Sequence, residues 1–133
     1  MIKKIAHIGI AVKDLQSSAE NYKKIFQREP SAEEYVEEQK VKVIHFNVGE
    51  STIELLQGTG PNSPISKFIE KRGEGIHHVS YESDNVKEES VRLRNDGFDL
   101  LYDDPKAGSD NTLITFLHPE KTNGVLTEIS QHK

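Results

Sequence analysis

Cysteine is absent from this chain of 133 residues. A chain without cysteine has no disulfides and no thiolate metal ligands, which makes a reducing compartment the simplest setting. No stretch approaches the roughly 18 consecutive apolar residues that a membrane-spanning helix needs. The opening run MIKKIAHIGIAV has two lysines but neither an apolar stretch of signal length nor a following cleavage site. We therefore expect a cytoplasmic protein with no membrane association.

Positive charge is also scarce. The chain has 17 Lys and Arg residues against 22 Asp and Glu residues, for a net charge of −5 at pH 7. Because nucleic-acid binding needs a basic face, this balance disfavours a nucleic-acid partner. The length fits a single domain, and 34% hydrophobic with 29% charged residues is typical of a globular chain.

The sequence does contain a pattern that occurs twice. The segments HIGIAVKDL at 7–15 and HVSYESDNV at 78–86 each open on a histidine and pass from strand-like into helical sequence. Each is followed at a similar distance by a glutamate in an apolar run. Glu54 in TIELL lies 47 residues after His7, and Glu128 in VLTEIS lies 50 residues after His78. A repeat of this kind predicts two similar modules.

Hydrophobic periodicity predicts the order βαβββ in the first half. The elements are a strand at Ile5–Val12, a helix at Asp14–Phe26, a weaker strand near Tyr35–Glu37, and a hairpin of Val41–Val48 and Thr52–Gln57. The stretch Gly58–Pro64 contains two glycines and two prolines and is typical of a linker. A short helix at Pro64–Arg72 follows, with proline in its first turn.

The second half repeats this order. Its elements are strands at Ile76–Tyr81, Phe98–Tyr102, Leu113–Leu117 and Val125–Ile129, a helix at Asn85–Asp96, and a loop at Asp103–Asn111. The prediction is an α+β fold with eight strands and two main helices around a shared interior. We expect one domain over 1–133, with module 1 at about 1–60, the linker and short helix at about 61–73, and module 2 at about 74–133.

Strand alternation indicates where the repeated residues point. On the first strand His7 shares a small face with Gly9, whereas the opposite face is fully apolar. The same alternation places Glu54, His78 and Glu128 on the less apolar face of their own strands. A buried carboxylate without a partner is costly, and pairing or a metal is the usual remedy. Two histidines and two carboxylates therefore predict one divalent metal site.

The remaining histidines are interpreted with the help of the repeat. Only one residue of the His77-His78 pair can face the cavity, and His78 aligns with the first histidine of the repeat. His77 is therefore expected to be packed or exposed on the outer face. His45 and His132 have no repeat partner and are predicted to lie on the surface. His118 follows a strand end, where a place at the site mouth and a role in a turn are equally compatible with the sequence.

Five segments that span nearly the whole chain carry a resemblance to a known family. They are HIGIAVKDL, VKVIHFNVGESTIELL, SPISKFIEKRGEGIHHVSY, LLYDDPKAG and FLHPEKTNGVLTEIS. The chain resembles the vicinal-oxygen-chelate superfamily of glyoxalases, bleomycin-resistance proteins and dioxygenases, and within it the methylmalonyl-CoA epimerases. The motifs GEGIHHV and FLHP…GVL-x-E are typical of the epimerase branch. In that family paired βαβββ modules form a curled mixed sheet around a metal cavity, with the helices outside.

The resemblance also implies a site and a reaction. His7, Glu54, His78 and Glu128 would hold one divalent metal ion per chain, and mixed N/O ligation suits Co, Zn, Mn or Ni. The implied reaction is the metal-dependent epimerisation of (R)/(S)-methylmalonyl-CoA through an enediolate that the metal stabilises. Glu128 is the implied catalytic group for one proton transfer.

The second proton-transfer group is left open. Some relatives carry a glutamate on the third strand, and the matching position here is Lys42, which could act as a neutral base, as could a water. Lys106 and Lys121 are candidates for contacts with the CoA phosphates because of their loop positions. The resemblance further implies a homodimer.

Other functions are compatible with the same fold. A glyoxalase-type lactoylglutathione lyase would use the same metal on a glutathione hemithioacetal. A non-catalytic ligand-binding protein of the antibiotic-resistance type often lacks the metal ligands, so the presence of all four disfavours it. An extradiol-type dioxygenase needs only three protein ligands on iron, and the fourth candidate ligand argues against it.

Overall fold

A computed structural model describes all residues 1–133 as eight strands and three α-helices. The strands are β1 (Ile2–Ala11), β2 (Glu34–Val36), β3 (Val41–Val48), β4 (Ser51–Gly58), β5 (Gly75–Ser83), β6 (Lys106–Ala107), β7 (Thr112–Leu117) and β8 (Thr127–His132). The helices are α1 (Leu15–Phe26), α2 (Pro64–Arg72) and α3 (Val86–Asn95), with two short 3-10 helices at Glu37–Gln39 and Pro119–Thr122. None of the helices is both long and apolar enough to cross a membrane.

All eight strands form one mixed sheet in the order β2-β3-β4-β1-β5-β8-β7-β6. The central pair β1 and β5 is antiparallel, the flanking pairs β1–β4 and β5–β8 are parallel, and the outer pairs are antiparallel. Reading outward from the centre, each half of the sheet has its first, last, third and second strand. The doubled βαβββ order thus gives two halves of like topology joined at β1 and β5.

The sheet curls until its two edges nearly meet. Asp110 N–H donates to Glu34 Oε1 across the gap at 2.9 Å, and the Tyr102 hydroxyl donates to Gln39 Oε1 at 3.2 Å. These contacts join residues that are 76 and 63 positions apart in the chain. The predicted curled mixed sheet with outside helices is confirmed, and its concave side encloses the interior.

Alternation along β3 separates an outer core from the cavity side. Ile44 and Phe46 are buried against Leu15 of α1, whereas Val43 packs with Leu56 on the concave side. Both layers consist of buried apolar side chains, whose removal from water is the main favourable term in folding. Helices α1 and α3 therefore cover the convex face, whereas α2 packs through Ile65 against the concave-side layer and contributes to the cavity wall.

Local signals explain the helix bounds. The Asp14 carboxylate accepts hydrogen bonds from the backbone N–H groups of Gln16 and Ser17 and so caps α1, and Asn85 caps α3 through Glu88 N–H. Such caps satisfy donors that have no partner within the helix. The predicted helices agree with the structure to within a residue at each end.

The predicted strand at Phe98–Tyr102 is wrong. This segment forms only an isolated bridge between Leu100 and Leu117, and the second strand of the second half is instead β6, inside the predicted loop. After Leu100 the chain turns away from its neighbour β7. This turn contains Pro105, which has no N–H to donate and restricts the conformation of the residue before it. Pairing resumes only where Lys106 meets Ile114.

The last strand begins later than the sequence predicts, at Thr127 instead of Val125, and runs on to His132. The cause is the preceding turn, in which Asn123 and Gly124 both have left-handed backbone angles, with φ of 60° and 79°. The shift keeps Glu128 within the strand.

Candidate metal centre

The four repeated side chains lie on the four central strands of the sheet. His7 is on β1, Glu54 on β4, His78 on β5 and Glu128 on β8. The pairing register explains their convergence, since Gly9 is opposite both Glu54 and His78. Three of the four are almost fully buried, with exposures of 5% for Glu54, 4% for His78 and 3% for Glu128.

The side-chain ends of these residues meet at one point. His7 Nε2 lies 2.9 Å from His78 Nε2, 3.1 Å from Glu128 Oε1 and 3.5 Å from Glu54 Oε1. His78 Nε2 lies 3.9 Å from Glu54 Oε1 and 3.8 Å from Glu128 Oε2. One donor atom from each of His7, Glu54 and His78 falls within 4.8 Å of the others, which is a cluster that could hold a metal ion.

The buried carboxylates of the cluster favour a positive charge beside them. Burial lowers the pKa of His7, but the charges of Glu54 and Glu128 outweigh it and raise that pKa to about 9. Burial raises the pKa of the Glu54 carboxyl, but His7 and the other neighbouring imidazoles hold it well below its usual range. Glu128 Oε1 is buried and accepts no hydrogen bond. A divalent cation would satisfy these groups, and a set of two imidazoles and two carboxylates suits Zn²⁺ and its first-row neighbours.

Gly9 makes room for the His78 ring. A Cβ added at Gly9 would overlap the imidazole of His78, so only glycine allows β1 to pass this close. The small centre of the HIGIA segment therefore has a steric cause, which is the approach of a histidine from β5 over the backbone of β1.

His77 lies beside the cavity, contrary to the expectation of an outer-face position. Its Nδ1 is 2.9 Å from Nδ1 of His78, and its ring packs edge-on against Phe68 of α2 at 5.0 Å. Strict alternation fails here because the β1–β5 register shifts between Gly9 and Ile10. Burial, together with the neighbouring His78, lowers the pKa of His77 to about 3. A neutral His77 can accept the Nδ1–H of His78, which leaves His78 Nε2 free to face the cluster.

His45 is also part of the site, so the prediction of a surface position is wrong. Its Nε2 lies 3.2 Å from Glu54 Oε2 and 3.1 Å from Ser109 Oγ, and its side chain is only 13% exposed. A signal for this was present in the sequence. His45 shares the concave face of β3 with Val41 and Val43 by simple alternation.

Two other histidines lie outside the cluster. His132 is exposed, as predicted, and contacts Glu82 and Asp110. His118 has a role in a turn, because its Nδ1 accepts a hydrogen bond from Glu120 N–H at the start of a 3-10 helix.

The lysines singled out from the sequence lie away from the cluster. Lys42 is exposed and is paired with Gln57 in the sheet. The side chain of Gln57 accepts a hydrogen bond from Leu15 N–H at the start of α1, on the convex side. Lys42 therefore points away from the cavity. Lys106 lies over the ring of Tyr102, a residue of the cavity wall, at 5.0 Å. Lys121 donates to the Gly97 carbonyl oxygen.

The cluster lines a cavity of about 310 Å³. The wall is mainly apolar, and its hydrophobic members include Val36, Val41, Val43, Leu56, Ile65, Leu101, Ile114, Phe116 and Leu126. Gln39 and Tyr102 add polar groups, and Gln39 Nε2 is buried without a hydrogen-bond partner. An apolar pocket with a few convergent polar groups is typical of a small-molecule site.

Comparison with known proteins gives this geometry a family context. An ethylmalonyl-CoA/methylmalonyl-CoA epimerase of Cereibacter sphaeroides is 36% identical over 98% of this chain and 99% of that protein. A variant of Streptomyces coelicolor methylmalonyl-CoA epimerase, solved with 2-nitronate-propionyl-CoA, has a TM-score of 0.93 at 36% identity and covers 99% of this chain and 96% of its own. A methylmalonyl-CoA epimerase in complex with methylmalonyl-CoA and NH4+ has a TM-score of 0.92 at 36% identity, with the same coverage.

The family model of the Glyoxalase/Bleomycin resistance protein/Dioxygenase superfamily matches residues 6–116, which include both histidines of the repeat and Glu54. The full-length relatives narrow the assignment within that superfamily. This chain belongs to the Glyoxalase/Bleomycin resistance protein/Dioxygenase superfamily and, within it, to the methylmalonyl-CoA epimerase family.

Proposed function

We propose that this protein is an epimerase that interconverts (R)- and (S)-methylmalonyl-CoA. The observation that carries the proposal is the convergence of two histidines and two buried carboxylates in the wall of a mainly apolar cavity. Relatives with this fold are methylmalonyl-CoA epimerases, and one is in complex with methylmalonyl-CoA itself. The activity is therefore that of an isomerase acting on an acyl-CoA thioester.

We propose His7, Glu54, His78 and Glu128 as the ligands of one divalent ion, with Co²⁺, Zn²⁺, Mn²⁺ or Ni²⁺ as candidates. When bound, such an ion supplies a Lewis acid for the negative charge that develops on the substrate oxygens as the α-proton leaves. The buried surroundings of the four side chains strengthen every such electrostatic contact, because they exclude water.

Glu128 is proposed as the catalytic group for one of the two proton transfers. Its carboxylate is buried, lies with Oε1 3.1 Å from His7 Nε2, and belongs to the wall of the cavity proposed to hold the substrate. Epimerisation also requires a group that returns a proton to the opposite face of the α-carbon. Lys42 is not that group, since it lies on the convex side. Apart from the four-residue cluster, the titratable side chains of the cavity wall are Tyr102 and His77, and these and water are the remaining sources.

The CoA portion is proposed to lie along α2. A surface groove there shares Pro64, His77 and Leu126 with the wall of the cavity, so the two spaces adjoin. The groove is bordered by the cationic side chains Lys67, Lys71 and Arg72. Cationic side chains suit the phosphates of CoA. Lys106, over the ring of Tyr102, is a further candidate, whereas the contact of Lys121 with a backbone carbonyl makes it a weaker one.

Isotope exchange tests the proposed reaction. The protein loaded with Co²⁺ is incubated with one epimer of methylmalonyl-CoA in deuterated water, and inversion is expected together with deuterium at the α-carbon. Glu128→Gln is the matched variant, since it keeps a ligand oxygen but removes the base, and we expect turnover to fall by about 10²-fold or more.

Two outcomes would refute the assignment. Inversion no faster than in protein-free controls would refute the epimerase activity. Turnover of a glutathione hemithioacetal in its place would identify the protein as a lactoylglutathione lyase.

Three further points are proposals about the molecule as a whole. Residues 1–133 form one domain built from module 1 at about 1–60, a linker and short helix at about 61–73, and module 2 at about 74–133. The protein is proposed to be a homodimer, which light scattering would show as twice the chain mass of 15.0 kDa. Its location in the cytoplasm stays a prediction from the sequence.

A further inference from the structure

One oxygen of Glu54 is engaged on the side away from the metal cluster. Glu54 Oε2 accepts a hydrogen bond from Ser109 Oγ at 2.8 Å and lies 3.2 Å from His45 Nε2. Ser109 Oγ and His45 Nε2 are themselves 3.1 Å apart. The other oxygen, Oε1, is the one that faces His7 and His78. The two oxygens of this carboxylate therefore have different surroundings.

We propose that His45 is a positioning residue of the metal centre, which holds Glu54 through Oε2 so that Oε1 is presented to the ion. The proposal rests on the metal site described under the proposed function, and it assigns a role to a residue outside the four candidate ligands. His45 does not touch the cluster point itself, so it acts through Glu54 and not as a ligand.

The imidazole of His45 is well fixed for this task. Its backbone N–H donates to Ser31 Oγ at 2.8 Å, and its carbonyl accepts from Ser31 N–H at 2.8 Å. These bonds anchor β3 at His45, and the side chain, 13% exposed, has little freedom to turn away. A donor held on a rigid strand restricts the carboxylate that it contacts better than a donor on a loop would.

The role is physically reasonable because a ligand carboxylate has two equivalent oxygens and a rotatable terminal bond. A hydrogen bond to the outer oxygen limits rotation and leaves the inner oxygen aligned before the ion arrives. Partners of this kind orient metal ligands, and their loss typically costs about 10–100-fold in metal affinity or activity. Ser109 supplies a second donor to the same oxygen, so we expect the lower end of that range when His45 alone is changed.

The test compares two amides that differ by one methylene. The Gln side chain in His45→Gln reaches about as far as Nε2 of the imidazole and can donate to Glu54, whereas the shorter amide in His45→Asn cannot. We expect the Co²⁺ dissociation constant, measured by calorimetry on the metal-free proteins, to rise about tenfold in His45→Asn and to stay near the wild-type value in His45→Gln. The visible absorption of bound Co²⁺ should shift in His45→Asn only.

A double-mutant cycle between His45 and Glu54 separates a positioning role of His45 from a general structural role. In a Glu54→Ala background, His45→Asn should no longer change Co²⁺ affinity, because the carboxylate through which it acts is gone. An unchanged affinity and spectrum in His45→Asn, even with a lowered melting temperature, would overturn the proposal, as would an equal loss in His45→Gln. His132→Asn is the control, since His132 is exposed and its ring nitrogens contact Glu82 and Asp110, which are not among the four candidate ligands.

If the proposed metal site itself is wrong, the Co²⁺ affinities of the variants differ from the pattern above. If wild-type protein and His7→Ala bind Co²⁺ equally, the proposed centre is wrong and the role of His45 falls with it. If His7→Ala loses the ion while His45→Asn keeps wild-type affinity, the centre stands and only the role of His45 is refuted.

Discussion

At the scale of single residues, the site depends on contacts that tolerate little change in size or charge. His78 packs against the bare backbone of Gly9 on one side and against the neutral ring of His77 on the other. The Nε2 atom of His78 is thereby directed to the cluster, where it lies near the buried carboxylates of Glu54 and Glu128. Each of these neighbours has a testable effect.

The steric role of Gly9 leads to a first prediction. In Gly9→Ala the added methyl overlaps the His78 ring, so the ring must shift and its Nε2 must leave the cluster. We expect Co²⁺ affinity to fall by about tenfold or more, as for other changes that misorient a ligand. Gly60→Ala is the matched control because nothing lies within 4 Å of a Cβ at Gly60. Equal affinity in the two variants would contradict the steric argument.

The neutral state of His77 gives a second prediction, on pH and stability. The folded protein holds the pKa of His77 at about 3, whereas an unfolded chain has a histidine pKa near 6.5, so protons bind preferentially to the unfolded state. The contribution of neutral His77 to the unfolding free energy is fully present above about pH 6.5 and is lost progressively as the pH falls below that value. Between pH 6.5 and pH 5 this one group accounts for at most about 2 kcal/mol of unfolding free energy.

Denaturant unfolding of the metal-free protein at several pH values measures this loss. His77→Gln serves as the reference, because it keeps an acceptor for His78 but does not titrate in this range. The difference between the two proteins isolates His77 from the other histidines. The prediction fails if both lose the same free energy on acidification.

At the scale of elements, strand alternation decides which residues can take part in chemistry. On β3 it turns His45 toward the cavity and Lys42 away from it, because an odd number of positions, three, separates them. On β5 the same rule holds for His78 but not for His77, because the pairing with β1 shifts register at this point. An irregularity in one strand pair therefore brings two adjacent histidines to the same site.

Helix α2 is the element for a third prediction. If the CoA phosphates lie along its cationic edge, the double substitution Lys67→Gln and Lys71→Gln should raise KM for methylmalonyl-CoA while leaving kcat near the wild-type value. We expect a rise of about tenfold at low salt, which high salt should largely remove in both proteins. Steady-state kinetics at two ionic strengths make the measurement.

A matched control comes from helix α1, which does not border the groove along α2. Lys23 and Lys24 lie in the last turn of α1, which packs on the convex face, and their double substitution to Gln removes the same charge. Substitutions on α1 that raise KM as much as those on α2 would show that net charge, and not the groove, is responsible.

At the scale of the whole molecule, the candidate metal centre joins the two halves of the sheet. His7 and Glu54 come from the first half, and His78 and Glu128 come from the second. An ion held by all four would link β4, β1, β5 and β8 at the middle of the sheet. Metal binding and global stability should therefore be coupled.

Removal of the ion gives a fourth prediction. At a free Co²⁺ concentration about 100 times the dissociation constant, the ion should add about 2.7 kcal/mol to the unfolding free energy, and a chelator should remove it. The melting temperature should drop on chelation in the wild type but not in His7→Ala. An equal drop in both proteins would mean that the chelator acts elsewhere.

The sequence by itself determined the doubled module, the main helices, most strands and the set of four residues that meet at the centre. These features follow from local rules, namely the strand period of two, the helical period, the caps, and a repeat visible in the order of residues. The resemblance to the epimerase family also came from the sequence, and the comparisons confirm it.

Only the tertiary structure decided the surroundings of those four residues. The place of His45 depends on Ser109, which is 64 positions away and reaches it only because the curled sheet nearly closes. The place of His77 depends on a register shift between strands, and the loss of the strand at 98–102 depends on where β7 pairs again after Pro105. Such features are set by contacts distant in sequence, which a pattern read along one chain does not contain.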